Sequence, residues 1–249
     1  GTGYTVESGS ISTVLGGTAA LTKSTGGTVL LTGTNLYSGA TTVDAGKLEL
    51  GVSSALSAST DVTVNAGELA LGLTTQQVAS VRLVGGTLSG GSLTGTVYTV
   101  EAGSISTVLG GTAALTKNTS GTVLLTGTNL YTGLTTVNGG KLELGVNNAF
   151  STSTDVTVNA GELALGLTAQ QVATVRLAGG MLSGGSLTGT AYTVEAGSIS
   201  TVLDGTAALT KNTDGTVLLT GTNLYTGLTT VNAGKLELGV NHALSTGTD

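Results

Sequence analysis

The side chains able to do chemistry are few. The 249-residue chain has one histidine, His242, no cysteine, 14 acidic and eight basic residues. A Ser-His-Asp or Cys-His nucleophile system would need His242, yet the equivalent places in the internal repeat described below hold Ser54 and Asn148. The spacing therefore predicts a solvent-facing loop residue. Glycoside cleavage would need two or more carboxylates converging on one face, often with calcium or a basic residue. Glu7, Glu101 and Glu195 instead stand 94 residues apart, and coil stacking predicts Lys47 beside Glu68 and Lys141 beside Glu162, which is charge pairing between neighbouring strands. The GGxGxD calcium repeat does not occur. No catalytic residue, cofactor site or metal site is assigned.

Composition defines the elements available to position these groups. Charged residues make up 9%, aromatic residues 3% and hydrophobic residues 39% of the chain, with 42 glycines and no proline. Apolar and polar residues alternate in short runs such as KLELG, DVTVNAG and YTVE, which read as strands rather than as helix or disorder. The net charge is −6 and the basic residues are scattered, so nucleic acid is not an expected partner. No run of about 18 apolar residues offers a helical membrane span. The sequence starts without a signal segment and stops within its pattern, which predicts an excised fragment.

The pattern is a repeat. YTVESGSISTVLGGTAALTK begins at Tyr4, with near-copies at Tyr98 and Tyr192, so the period is 94 residues and the copies are 1–94, 95–188 and a partial 189–249. Within it, a glycine followed two residues later by an aliphatic recurs at Gly9, Gly27, Gly46, Gly67, Gly86, Gly103, Gly121, Gly140, Gly161, Gly180, Gly197, Gly215 and Gly234. Five steps of about 19 residues fill one long period, the length of one solenoid coil. The expected fold is all-β: a parallel β-helix of about 13 coils, one continuous solenoid over 1–249, five coils to each 94-residue repeat. Ile11, Val29, Leu48, Leu69, Leu88, Ile105 and Val123 should form one inward column, and Val43, Val64, Leu83 and Val100 a second.

The corners have their own chemistry. In Asn65-Ala66-Gly67 and Asn232-Ala233-Gly234 the chain turns into the next strand, and Asn and Gly tolerate positive φ there. Gly27, Gly46, Gly67, Gly121, Gly140, Gly161, Gly215 and Gly234 are accordingly read as turn residues, with Asn35, Asn129 and Asn223. Proline is excluded because a central strand needs every N–H for its ladder. One step lengthens to 21 residues around VSSALSAS, and Thr74 to Gln77 could open a single helical turn. Tyr37, Tyr131 and Tyr225 recur once per repeat and either pack loops against the coil or serve as surface contacts, packing being the preferred reading.

Residues 121–145, GTVLLTGTNLYTGLTTVNGGKLELG, resemble the autotransporter-associated β-strand repeat of type V secreted passenger domains, and NNAFSTSTDVTVNAGELAL resembles its usual continuation. The Asn-x-Tyr-x-Gly element stands at Asn35 to Gly39, Asn129 to Gly133 and Asn223 to Gly227. The resemblance, with the general preference for right-handed crossovers, implies a right-handed β-helix. It implies a structural or adhesive role as a rigid stalk or surface fibre, located outside the cell or at the bacterial surface in association with the outer membrane. Expected partners are flanking coils of the same protein or copies of itself, and host or neighbouring-cell surface ligands.

Two alternatives stay open: a homopolymeric filament assembling end to end, and a polysaccharide-active β-helix enzyme. An ice-binding threonine plane is disfavoured because the column Thr42, Thr63, Arg82, Thr99, Lys117 is expected to be interrupted twice in five coils. Asn118-Thr119-Ser120 fits a glycosylation sequon, once.

Overall fold

The computed structural model describes residues 3–247. Strand is the only regular structure among them, in segments mostly of three or four residues. Such strands are too short to stand alone, and stacking supplies their partners. Two compact units are distinguished: the residues up to Leu115 with Asn129–Tyr131, and Thr116–Thr128 with the residues from Thr132 on.

In the first unit, one sheet stacks Gly3–Val6, Ala20–Lys23, Thr41–Val43, Asp61–Val64, Ser80–Leu83 and Val97–Val100, every neighbour parallel. A second sheet stacks Gly9–Ile11, Thr28–Leu31, Lys47–Leu50, Glu68–Gln77, Thr87–Thr94 and Gly103–Ile105, also parallel. The far halves of Glu68–Gln77 and Thr87–Thr94 bend away to form a third face with Val108–Gly110. In the second unit the first sheet runs Thr135–Val137, Val156–Val158, Thr174–Leu177, Ala191–Val194, Leu209–Lys211 and Thr229–Val231. Its second sheet runs from Thr122–Leu125 to Lys235–Leu238, and its third face is Ala169–Gln171, Ser186–Thr188 and Val202–Asp204. Each unit is a parallel β-solenoid, as the repeat length predicts.

The inward columns hold. Val43, Val64, Leu83 and Val100 pair in succession and are at most 1% exposed, and Val29, Leu48, Leu69, Leu88 and Ile105 pair in succession on the second sheet.

Three expectations are corrected. Ile11 pairs with Leu31 rather than Val29, and Ile199 with Leu219 rather than Val217, so the marker glycines slip by two residues once per repeat. Val6 and Ile11 are five residues apart while their partners Lys23 and Leu31 are eight apart, which places the extra residues in the corner after Lys23. A slip of two preserves the alternation of faces, so the apolar side chains still point inward. Thr74 to Gln77 is strand, not a helical turn. Finally, Lys117 is not in the outward threonine column. Its counterparts Lys23 and Lys211 pair with Val43 and Val231, and all three lysines are fully buried. The outward column reads Thr5, Thr22, Thr42, Thr63, Arg82, Thr99 in the first unit, interrupted only by the arginine.

Candidate functional site

The polar residues that recur once per repeat converge on corners between coils. Asn35 is 2% exposed and bridges three successive coils. The Leu15 N–H donates to its Oδ1 at 2.8 Å, and its Nδ2 donates to the Ala55 carbonyl at 2.7 Å and to Gly33 at 3.2 Å. Asn223 does the same with Leu203, Ala243 and Gly221, and Asn129 accepts from Leu109 N–H at 2.9 Å. A buried amide can satisfy a donor below and an acceptor above in one side chain, so the role of Asn35, Asn129 and Asn223 is to lock coil to coil where the backbone leaves the sheets.

Two residues on, the tyrosines are interior. Tyr37, Tyr131 and Tyr225 have no exposed surface, which removes the surface-contact reading and leaves packing. The Tyr37 hydroxyl hydrogen-bonds Thr41 Oγ1 at 2.6 Å, Thr41 meets Thr60 Oγ1 at 2.9 Å, and Thr60 donates to the Gly39 carbonyl at 2.7 Å. Tyr225 meets Thr229 at 2.8 Å. Each ring packs against a second tyrosine of the repeat: Tyr4 with Tyr37, Tyr98 with Tyr131, Tyr192 with Tyr225, at centroid distances of 6.0 to 6.4 Å. Desolvation pushes the Tyr37 phenol up to about 12, against the weaker opposing effect of the Thr41 bond. Burial also raises Tyr98, Tyr192 and Tyr225.

The buried lysines went unrecognised in the sequence. Lys23 donates to the carbonyls of Thr25 and, at 3.3 Å, Ala45 one coil on. Lys117 donates to Thr119 and, at 3.1 Å, Gly139, and Lys211 to Thr213. The long corner after each lysine turns carbonyls inward, and the ammonium supplies their donors. The signal was available: a lysine stands where other coils hold an aliphatic, and four residues rather than three separate it from the marker glycine.

The turn glycines serve two purposes. Gly46, Gly67, Gly140, Gly161 and Gly234 take φ from 62° to 75°. Gly27 and Gly215 do not adopt positive φ, so the conformational reason fails there. At Gly27 a Cβ would lie 2.8 Å from the Glu7 carbonyl, and at Gly215 2.7 Å from that of Glu195, so close approach requires glycine. Gly121 follows Lys117 in the same corner.

Among the described residues the carboxylates form no converging set. Lys47 and Glu68 are register partners, but Lys47 pairs with Glu49 on its own strand at 3.4 Å and Glu68 accepts from Ser89 at 2.5 Å. Lys141 pairs with Glu143, and Glu162 accepts from Ser183. Arg82 holds Glu101 at 2.5 Å and Arg176 holds Glu195 at 2.8 Å, each with an arginine about half exposed. His242 is exposed at φ 58°, and its counterparts Ser54 and Asn148 take 55° and 51°. Among the described residues no group of three or more His, Cys, Asp or Glu side chains could hold a metal.

These features define the class: a parallel β-solenoid repeat protein whose coils are locked by buried polar side chains at fixed corners. The family model of the passenger-associated transport repeat matches residues 21–50, 115–144 and 209–238. A curated relative, the adhesin BmaC autotransporter of Brucella suis biovar 1 (strain 1330), is 37% identical over 249 aligned residues, covering 88% of this chain and 7% of the relative. The chain thus spans a small fraction of that protein's length. No solved structure matches it. Three segments of the chain match that repeat model, and the autotransporter-passenger resemblance read at residues 121–145 holds.

Proposed function

We propose that the chain is a structural, non-enzymatic segment of an autotransporter passenger, displayed outside the cell or at its surface, where it serves as a stalk. The observation that carries this reading is the corner architecture. Asn35 and Lys23 spend their polar groups on neighbouring coils and Tyr37 spends its hydroxyl on Thr41 of its own corner, rather than presenting them to a ligand. Such a segment adds length and stiffness by repetition, and its partners are flanking coils of the same protein. Contacts with host or neighbouring-cell ligands belong to other parts of the passenger. The similarity to an adhesin supports a place in an adhesive protein.

Removal of residues 95–188 from the parent passenger tests the reading. The deletion takes out five coils, about 24 Å at about 4.8 Å per coil. Shorter reach in electron micrographs with undiminished ligand binding per molecule is expected. Loss of ligand binding, with secretion and protease resistance unchanged, would instead make the repeats themselves the adhesive surface.

A further inference from the structure

At the first corner of several coils, exposed side chains form short ladders along the stack. In the second unit Asn138 Nδ2 donates to Asn118 Oδ1 at 2.8 Å and Asn159 Nδ2 donates to Asn138 Oδ1 at 2.8 Å, and Asn232 donates to Asn212 at 2.7 Å. In the first unit the same place is a carboxylate, Asp44, which accepts from Asn65 Nδ2 at 2.7 Å. The following residue is alanine at Ala45, Ala66, Ala160 and Ala233 but glycine at Gly139, and Asn138-Gly139 is the one Asn-Gly pair of the chain.

We propose that Asn138 is a modification site at which the chain deamidates itself. The Gly139 backbone nitrogen, losing its proton, attacks Asn138 Cγ. A C–N bond forms, the Cγ–Nδ2 bond breaks and ammonia leaves, giving a five-membered succinimide. Water then opens the ring to aspartate or isoaspartate. Glycine permits the attack because no Cβ shields its nitrogen, and Asn138 is solvent-exposed. The ladder opposes it by holding the amide with two hydrogen bonds, but exposed neutral bonds are weak, and they slow the attack by only on the order of tenfold. The aspartate product fits: Asp44 already accepts from the asparagine above it, so a carboxylate at 138 keeps the bond from Asn159 and gives up only the one to Asn118. The second copy then acquires the corner charge that the first encodes.

The test is ageing of the folded chain at mildly alkaline pH, followed by peptide mapping and isoelectric focusing. An acidic variant should accumulate with the mass of one deamidation, located at Asn138. Gly139→Ala, the residue found at the equivalent corners, should suppress it at least tenfold, and Asn138→Asp should comigrate with the aspartate product and unfold within a few degrees of the parent. Circular dichroism establishes that both variants fold, and Ala45 and Ala66 show that the corner accepts the methyl group. The proposal is overturned if Asn138 stays intact in the folded chain while a denatured control deamidates there, or if other asparagines change equally fast.

Discussion

Lys23 pairs in register with Val43 one coil on, and both side chains are fully buried. An ammonium thus occupies a column otherwise filled by aliphatics, held by the carbonyls of Thr25 and Ala45. Lys23→Met keeps most of the stem's packing and removes the donors. Each carbonyl left without a partner costs about 1–3 kcal/mol, so a loss of about 2–4 kcal/mol is expected by urea denaturation. An unchanged or raised midpoint would mean that desolvating the ammonium outweighs its bonds.

Asn35 joins the coils below and above it, so Asn35→Ala strands the Leu15 N–H and the Ala55 carbonyl at once. About 2–4 kcal/mol should be lost. Asn35→Asp retains the acceptor for Leu15 but turns an oxygen toward Ala55, and should be at least as harmful. Hydrogen exchange at Leu15 is the direct readout: its amide should lose protection in the alanine variant and keep it in the aspartate variant wherever that variant still folds.

Ser54, Asn148 and His242 share one left-handed corner, with φ between 51° and 58°. Asparagine suits that conformation better than serine. Ser54→Asn should stabilise by about 0.5–1 kcal/mol, seen as a higher thermal midpoint, whereas Asn148→Ser should do the reverse.

The buried tyrosines set an alkaline limit. Tyr37 is raised from the ordinary value near 10 to about 12, so between those values the folded chain holds a proton that the unfolded chain has released. The stabilisation is complete below pH 10 and is lost as pH rises toward 12, at a cost on the order of 2 kcal/mol for this residue. Tyr98, Tyr192 and Tyr225 shift in the same direction. Phenolate absorbance should therefore appear together with loss of the β signal, and Tyr37→Phe should reduce the steepness of the alkaline transition.

Much of this was legible in the sequence because the solenoid is nearly one-dimensional. Period fixed the coil, alternation fixed the inward face, and Val43, Val64, Leu83 and Val100 stack as their spacing implies. Corners were harder, since a glycine two residues before an aliphatic looks alike whether the corner is short or long. Gly9 and Gly27 share the signature but not the register. The same blind spot hid Lys117, whose offset from Gly121 suggests an outward place when the longer corner turns it in. Tyr37 could not be assigned from period alone, because a once-per-repeat aromatic fits a surface or an interior equally; its burial depends on the three-coil polar network around Asn35 and Thr60.

Thr42 and Thr63, 21 apart in sequence, are stacked neighbours on one outward face. Because the chain has no cysteine, Thr42→Cys and Thr63→Cys together place two spin labels on register partners, one coil or about 4.8 Å apart along the axis. Continuous-wave electron paramagnetic resonance should show strong dipolar broadening in the double-labelled chain, absent from either single variant and lost in denaturant. A folded, double-labelled chain with the sum of the two single spectra would contradict the stacked solenoid.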